Sequence, residues 1–162
     1  MKRRSFLAGA AAASLGATAC RREQSSFRTL TQSEAQTLHA LCAQIVPADD
    51  QPGADQAGAV DFIDIQLTRR YKQHRETYRE GLKKAAPIVQ LPPGDRLKFA
   101  EELERTAPRF FGLLVAHTMQ SFYGSPRHGG NRDAVSWRML GVPPVPVRGR
   151  NQYDLTIERG RS

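Results

Sequence analysis

The chain has 162 residues, which suits one domain, and carries 24 Lys+Arg against 16 Asp+Glu for a net charge of +8. Hydrophobic residues make up 40 % and charged residues 25 %, a globular balance that excludes wholesale disorder. Its two cysteines, Cys20 and Cys42, exclude a disulfide-stapled miniprotein, and no apolar run reaches the ~18 residues of a transmembrane helix.

A basic cluster, Lys2 to Arg4, precedes an Ala- and Gly-rich apolar stretch from Phe6 to Ala19, the layout of a secretory signal. Arg3 and Arg4 with Phe6 and Leu7 behind them resemble the twin-arginine export signal. Residues 1–19 are therefore read as a signal peptide and 20–29 as a tether. Ala17, Thr18 and Ala19 form an A-x-A cleavage site, and with Cys20 they also resemble a lipoprotein box. Cys20 is thus the candidate lipidation site, which would hold the chain on a membrane without a spanning segment. Removing residues 1–19 deletes Lys2, Arg3 and Arg4 and no acid, so the mature charge falls to +5 on 143 residues.

Thr31 and Glu34 have the spacing of a capping box, and Leu38, Leu41, Cys42, Ile45 and Val46 come after it at helical intervals until Pro47. Residues 47–58 read as a polar loop. A second helix is expected over roughly 58–73, with Val60, Ile63, Leu67 and Tyr71 inward. A third is expected over roughly 74–86, with Tyr78, Leu82 and Ala85 inward. After the turn at Leu91–Asp95, a fourth is expected over roughly 95–106, with Leu97, Ala100 and Leu103 inward. Pro108 suits the first turn of a fifth over roughly 108–123, whose Phe110, Phe111, Leu114, Val115, Met119 and Phe122 suit a core or, in part, a subunit interface. A Gly-rich loop at 124–133 leads to a short helix over roughly 134–140. Residues 143–162 form an extended Pro- and Arg-rich tail. No run alternates as a buried strand does. The expected fold is all-α: one bundle of about five helices over 30–142, closed by the short helix.

Side chains with chemical potential are sparse. His39 and Cys42 are three apart on a helix, but two ligands without a second pair make no zinc site. Gly129 and Gly130 are not part of a G-x-G-x-x-G, which argues against a nucleotide fold. Ser121 and Ser125 lie near His117 without a nucleophile elbow. Asp49 and Asp50 suit a turn device better than a cation site. No catalytic, cofactor-binding or metal residue is assigned. Arg69, Arg70, Lys72, Arg75, Arg79, Lys83 and Lys84 oppose only Glu76 and Glu80. The i,i+4 pairs Lys72–Glu76 and Glu80–Lys84 suggest a solvated helix face, with an acidic partner or anionic headgroups ahead of nucleic acid.

The most specific segment runs from His128 to Gly141. Its Gly129, Gly130, Asn131, Asp133, Trp137 and Gly141 are similar to the C-terminal signature of the gluconate 2-dehydrogenase subunit 3 family. Upstream, Leu30–Thr31, Ile45–Asp50, Pro52–Ala54 and Gly58–Asp64 resemble the family's N-terminal half, so the likeness spans roughly 28–145. The resemblance implies a non-catalytic small subunit of a periplasmic, membrane-associated dehydrogenase. The large partner would carry FAD and oxidise a sugar, sugar acid or alcohol, and a cytochrome c subunit is the further partner implied. This chain would itself hold no cofactor, and would support export and stability of the flavoprotein. Export of folded, cofactor-loaded cargo by the twin-arginine machinery agrees with that role. Gly129, Gly130, Asn131, Arg132, Asp133 and Trp137 are the expected partner contact, with Asn131 and Asp133 also suited to cap the short helix. The alternative is a stand-alone periplasmic lipoprotein with a structural or binding role. On the subunit reading, the choice of substrate belongs to the partner.

Overall fold

The computed structural model describes residues 26–142. The expected export signal, Cys20, most of the expected tether and the 143–162 tail lie outside the described residues. Within them the chain is all-α: α1 (Gln32–Ile45), α2 (Ala59–Leu67), α3 (Arg75–Ala85), α4 (Pro93–Thr106), α5 (Pro108–Tyr123) and α6 (Val135–Met139), joined by loops and short 3-10 turns. No described helix is long and apolar enough to cross a membrane.

The capping box forms at the start of α1. Glu34 N–H donates to Thr31 Oγ1 at 3.2 Å, and Thr31 N–H donates to the Glu34 carboxylate at 2.8 Å, so two otherwise orphaned groups are satisfied. Leu38, Leu41 and Cys42 then face the core. α1 packs against α2, α3, α5 and the 3-10 turn at Ala86–Gln90, which places it at the centre of the bundle. Ile88 from that turn is fully buried, a core position outside the expected helices.

α2 is shorter than its periodicity suggested. Val60, Ile63, Leu67 and Tyr71 are all buried as expected, but the helix ends at Leu67. Thr68 Oγ1 donates to Ile65 O at 2.7 Å, and the N–H groups of Arg69 and Tyr71 both donate to Gln66 O. The chain therefore turns out of the helix and reaches Tyr71 by a different route, through local hydroxyl and carbonyl bonding that no Pro or Gly announces. Lys72 consequently lies on the 3-10 turn at Lys72–His74, and Glu76 pairs with Arg79 at 2.6 Å instead of with Lys72.

Leu97 corrects a second expectation. It is 56 % exposed, while Phe99, Ala100 and Leu103 form the inner stripe of α4. At about 100° per residue, Phe99 aligns with Leu103 and rotates the buried face away from Leu97. Met119 on α5 is likewise 39 % exposed, and Phe111 and Val115 are half-buried. The buried face of α5 instead carries His117, Thr118 and Ser121 beside Phe110, Leu114 and Phe122. Gly81 lets α3 approach this helix, since a Cβ there would overlap the Phe110 ring.

Candidate docking face and the polar core behind it

The loop after α5 is held by close backbone approach. A Cβ on Gly130 would overlap Ser121 Oγ and stand 2.6 Å from Ser121 O, so only glycine lets the loop lie on the end of α5. Gly129 has φ 98°, and a Cβ there would stand 2.8 Å from Ile65 Cδ1 on α2. The loop thus seats on two helices distant in sequence.

Asn131 joins this loop to α6. It is fully buried, its Nδ2 donates to Gly124 O at 2.8 Å, and its Oδ1 accepts from Ser136 N–H at 3.0 Å. One side chain therefore closes the loop and binds an N–H of the first turn of α6. Asn131, Asp133 and Ala134 all have left-handed φ, between 45° and 58°, which is uncommon for residues with a Cβ. Asn131 withstands this because both ends of its amide are bonded. No side-chain bond to α6 is seen for Asp133, which is exposed.

Arg132 projects from the loop. Its N–H donates to Ala57 O at 2.9 Å, and its guanidinium pairs with Asp61 on α2 at 2.6 Å. Trp137 is half-buried, with Nε1 donating to Tyr123 O at 3.0 Å. Tyr123, Met139, Leu140 and Val142 are exposed apolar neighbours in sequence or on the adjoining helix end. An open groove of about 500 Å³ is lined by Asp49, Asp50, Gln56, Arg132, Asp133 and Arg138. Asp49 Oδ1 accepts from Gln51 N–H at 2.8 Å, which is the turn role expected of it.

The six residues singled out from the sequence thus divide by exposure. Gly130 and Asn131 are buried and shape the loop, Gly129 is partly covered, and Arg132, Asp133 and Trp137 present side chains to the outside. His39 and Cys42 part company: His39 pairs with Asp55, while Cys42 is buried with its Sγ 3.5 Å from Thr118 Oγ1. Among the described residues no group of three or more His, Cys, Asp or Glu is placed to hold a metal ion.

Behind this face lies a polar core that spacing alone did not reveal. His117 lies flat on Tyr71, and its Nδ1 shares a 2.9 Å hydrogen bond with Tyr78 Oη. Tyr71 Oη in turn donates to Gln120 Oε1. Burial, and next the neighbouring His74, pull the His117 pKa down to about 4. Burial pushes the Tyr78 phenol well above its ordinary value, so the pair is neutral. Ser121 Oγ has no hydrogen-bond partner in the structure, so α5 presents no Ser–His pair here. On α2, Asp64 is buried and accepts from the N–H groups of Arg28, Thr29 and Leu30 and from Thr29 Oγ1. A carboxylate in the middle of an apolar run was the available signal for this clamp.

Residues 32–92 match the family model described as gluconate 2-dehydrogenase subunit 3. Over these residues the chain is similar to gluconate 2-dehydrogenase subunit 3. No match was found among curated proteins or among solved structures. The matched gluconate 2-dehydrogenase subunit 3 segment contains α1 to α3, with Asp61, Asp64 and the basic stretch after α2. It ends before α4, so the 128–141 signature lies outside it. The candidate face is therefore assembled from both parts: Ala57, Gly58 and Asp61 from the matched segment, and the Gly129–Arg132 loop packed on them from beyond it. The family's description is that of one subunit of a dehydrogenase.

Proposed function

We propose that this chain is a non-catalytic small subunit of a periplasmic FAD-dependent dehydrogenase acting on a sugar, sugar acid or similar alcohol. It supports twin-arginine export, stability and membrane association of the flavoprotein. The match of residues 32–92 to gluconate 2-dehydrogenase subunit 3 carries this reading. The Arg3–Arg4 signal agrees with export of a folded, cofactor-loaded complex. FAD sits in the large subunit, and a haem c subunit is the expected electron acceptor. Arg132, Asp133 and Trp137 touch the partner, while Gly129, Gly130 and Asn131 set the loop that presents them. Loop-borne polar groups beside a Trp suit such an interface.

The test is a pull-down of the chain from its native membranes in mild detergent, with an absorption spectrum of the eluate. A stoichiometric yellow flavoprotein, with or without a cytochrome, is the expected result. A colourless, solitary, folded chain overturns the proposal and favours a stand-alone lipoprotein.

A further inference from the structure

Two features meet at the C-terminal end of α2. The first is the clamp on Asp64, which fastens the strap Arg28–Leu30 there through four hydrogen bonds of 2.7 to 3.1 Å. The second is uncompensated positive charge. The Arg28 side chain is exposed at the strap, and Arg69, Arg70 and Lys72 are exposed just after the helix. Arg28 N–H is bonded to Asp64, and Arg69 N–H is bonded at 2.9 Å to the carbonyl of Gln66, two residues further along α2. Among the described residues none of these four cations is in an ion pair. Of the carboxylates near them, Asp61 pairs with Arg132, and the buried Asp64, bonded only to neutral groups of the strap, offsets one of the four charges and leaves an excess of three. Arg75 Nε donates to Leu67 O at 2.6 Å, and the three remaining cations of the basic stretch differ. Arg79, Lys83 and Lys84 share α3 with Glu76 and Glu80, and Glu76 is bonded to Arg79.

We infer that the end of α2, with Arg28, Arg69, Arg70 and Lys72, is a docking patch for the anionic headgroups of a lipid bilayer. The inference rests on the proposed membrane association and gives it a face and a lipid class. Chain length makes the geometry consistent. Cys20 precedes Arg28 by eight residues, a reach of at most about 28 Å. A lipid on Cys20 would therefore hold the strap at Arg28 within about 28 Å of the membrane anchor. A lipid anchor combined with a basic patch is the pairing that converts marginal attachment into stable attachment. The clamp on Asp64 makes this orienting, because it prevents the leash from lengthening past Arg28.

The experiment uses the full chain carrying Cys20→Ser, so that no acyl group contributes. Its partition is measured by co-sedimentation on vesicles of equal parts phosphatidylglycerol and phosphatidylcholine, and on phosphatidylcholine alone. Arg69→Gln/Arg70→Gln/Lys72→Gln is compared with Arg79→Gln/Lys83→Gln/Lys84→Gln, which removes equal charge from α3. All six side chains are exposed, so circular dichroism and urea midpoints should match the parent. The first triple should weaken partition onto the anionic vesicles about 100-fold, and the second less than about 10-fold. Binding should vanish at high salt and on phosphatidylcholine alone. Equal loss in both triples, or no loss in either, overturns the patch. A first triple that binds vesicles normally but loses a salt-sensitive complex with the flavoprotein also overturns it, in favour of an acidic protein surface. The vesicle assay contains no partner protein, so failure of the subunit reading in the pull-down and failure of the lipid patch are separate results.

Discussion

The imidazole of His117 lies on the phenol ring of Tyr71 with centroids 3.8 Å apart and planes 3° apart. The contact bridges α5 to the turn after α2, and the Tyr78 hydroxyl bonds the same imidazole from α3. Three segments therefore meet on one neutral ring. Its neutrality is a condition of the fold, because burial disfavours the imidazolium and Nδ1 is already engaged.

Acid should weaken this core in a defined window. The folded His117 pKa is about 4, against an ordinary value of 6.5, so the unfolded chain takes the proton first. Stability is fully present above pH 6.5, falls between 6.5 and 4, and loses nothing further from this group below that. With allowance for partial solvent screening, the loss should be on the order of 1–2 kcal/mol. His117→Gln should lower stability at neutral pH and flatten this limb in urea titrations across pH. His39 has the opposite sign. Its hydrogen bond with Asp55 raises its pKa, so its contribution is present below pH 6.5 and fades as pH rises through the raised value. His39→Gln should therefore leave the alkaline side unchanged and cost stability only toward acid.

Cys42 should be inert while the chain is folded. Burial raises its pKa to about 12, and only the thiolate is a good nucleophile. In a Cys20→Ser background, a disulfide reagent should titrate no thiol in native buffer and one thiol in denaturant. Prompt native labelling would show that α1 and α5 open readily at Thr118.

Asp64→Ala should release the strap. It leaves the N–H groups of Arg28, Thr29 and Leu30 without their acceptor, and an unsatisfied buried donor costs about 1–3 kcal/mol. The expected loss is roughly 2–3 kcal/mol in urea denaturation, with amide exchange accelerated first at residues 28–30. Asp64→Asn should recover only part of this, since the amide presents a single acceptor oxygen to several donors.

The helices and most inward positions were legible because apolar residues repeat at helical intervals and the cap at Thr31 and Glu34 has its own spacing. The departures have local causes. Thr68 ends α2 by hydroxyl bonding, which carries no strong sequence mark. Phe99 takes the inner stripe from Leu97, a choice made by the facing helix. The polar core was hidden because His117, Tyr71 and Tyr78 come from three segments, and their meeting depends on how those segments pack. In the loop, the Gly129–Asp133 run stood out, whereas the division between the buried Asn131 and the exposed Arg132 arises from the backbone's left-handed turn.

Gly130→Ala should be more damaging than its single methyl suggests. The new Cβ meets the backbone oxygen and Cα of Ser121, which belong to α5 and cannot yield as a side-chain tip would. Overpacking of this kind costs about 1–3 kcal/mol. Adding Ser121→Ala removes the buried, unpartnered hydroxyl but leaves the backbone clash, so rescue should be partial. Full rescue in the double variant would show that the loop, not α5, moves to make room.

Trp137 offers the direct reading of the proposed docking face. It is the single tryptophan of the chain, half-buried, and its Nε1 donates to Tyr123 O. Because the ring is partly in water in the isolated subunit, covering it with a partner should shift its emission to the blue. Trp137→Phe keeps an aromatic body and removes the bond to Tyr123, a loss of about 0.5–1.5 kcal/mol in folding. If Trp137 anchors the partner, the same change should weaken the complex by more than this, since truncating an interface anchor costs about 2 kcal/mol or more. Titrating the isolated chain with the proposed flavoprotein partner separates these effects. A complex whose affinity and emission are untouched at Trp137 would place the docking surface elsewhere on the bundle.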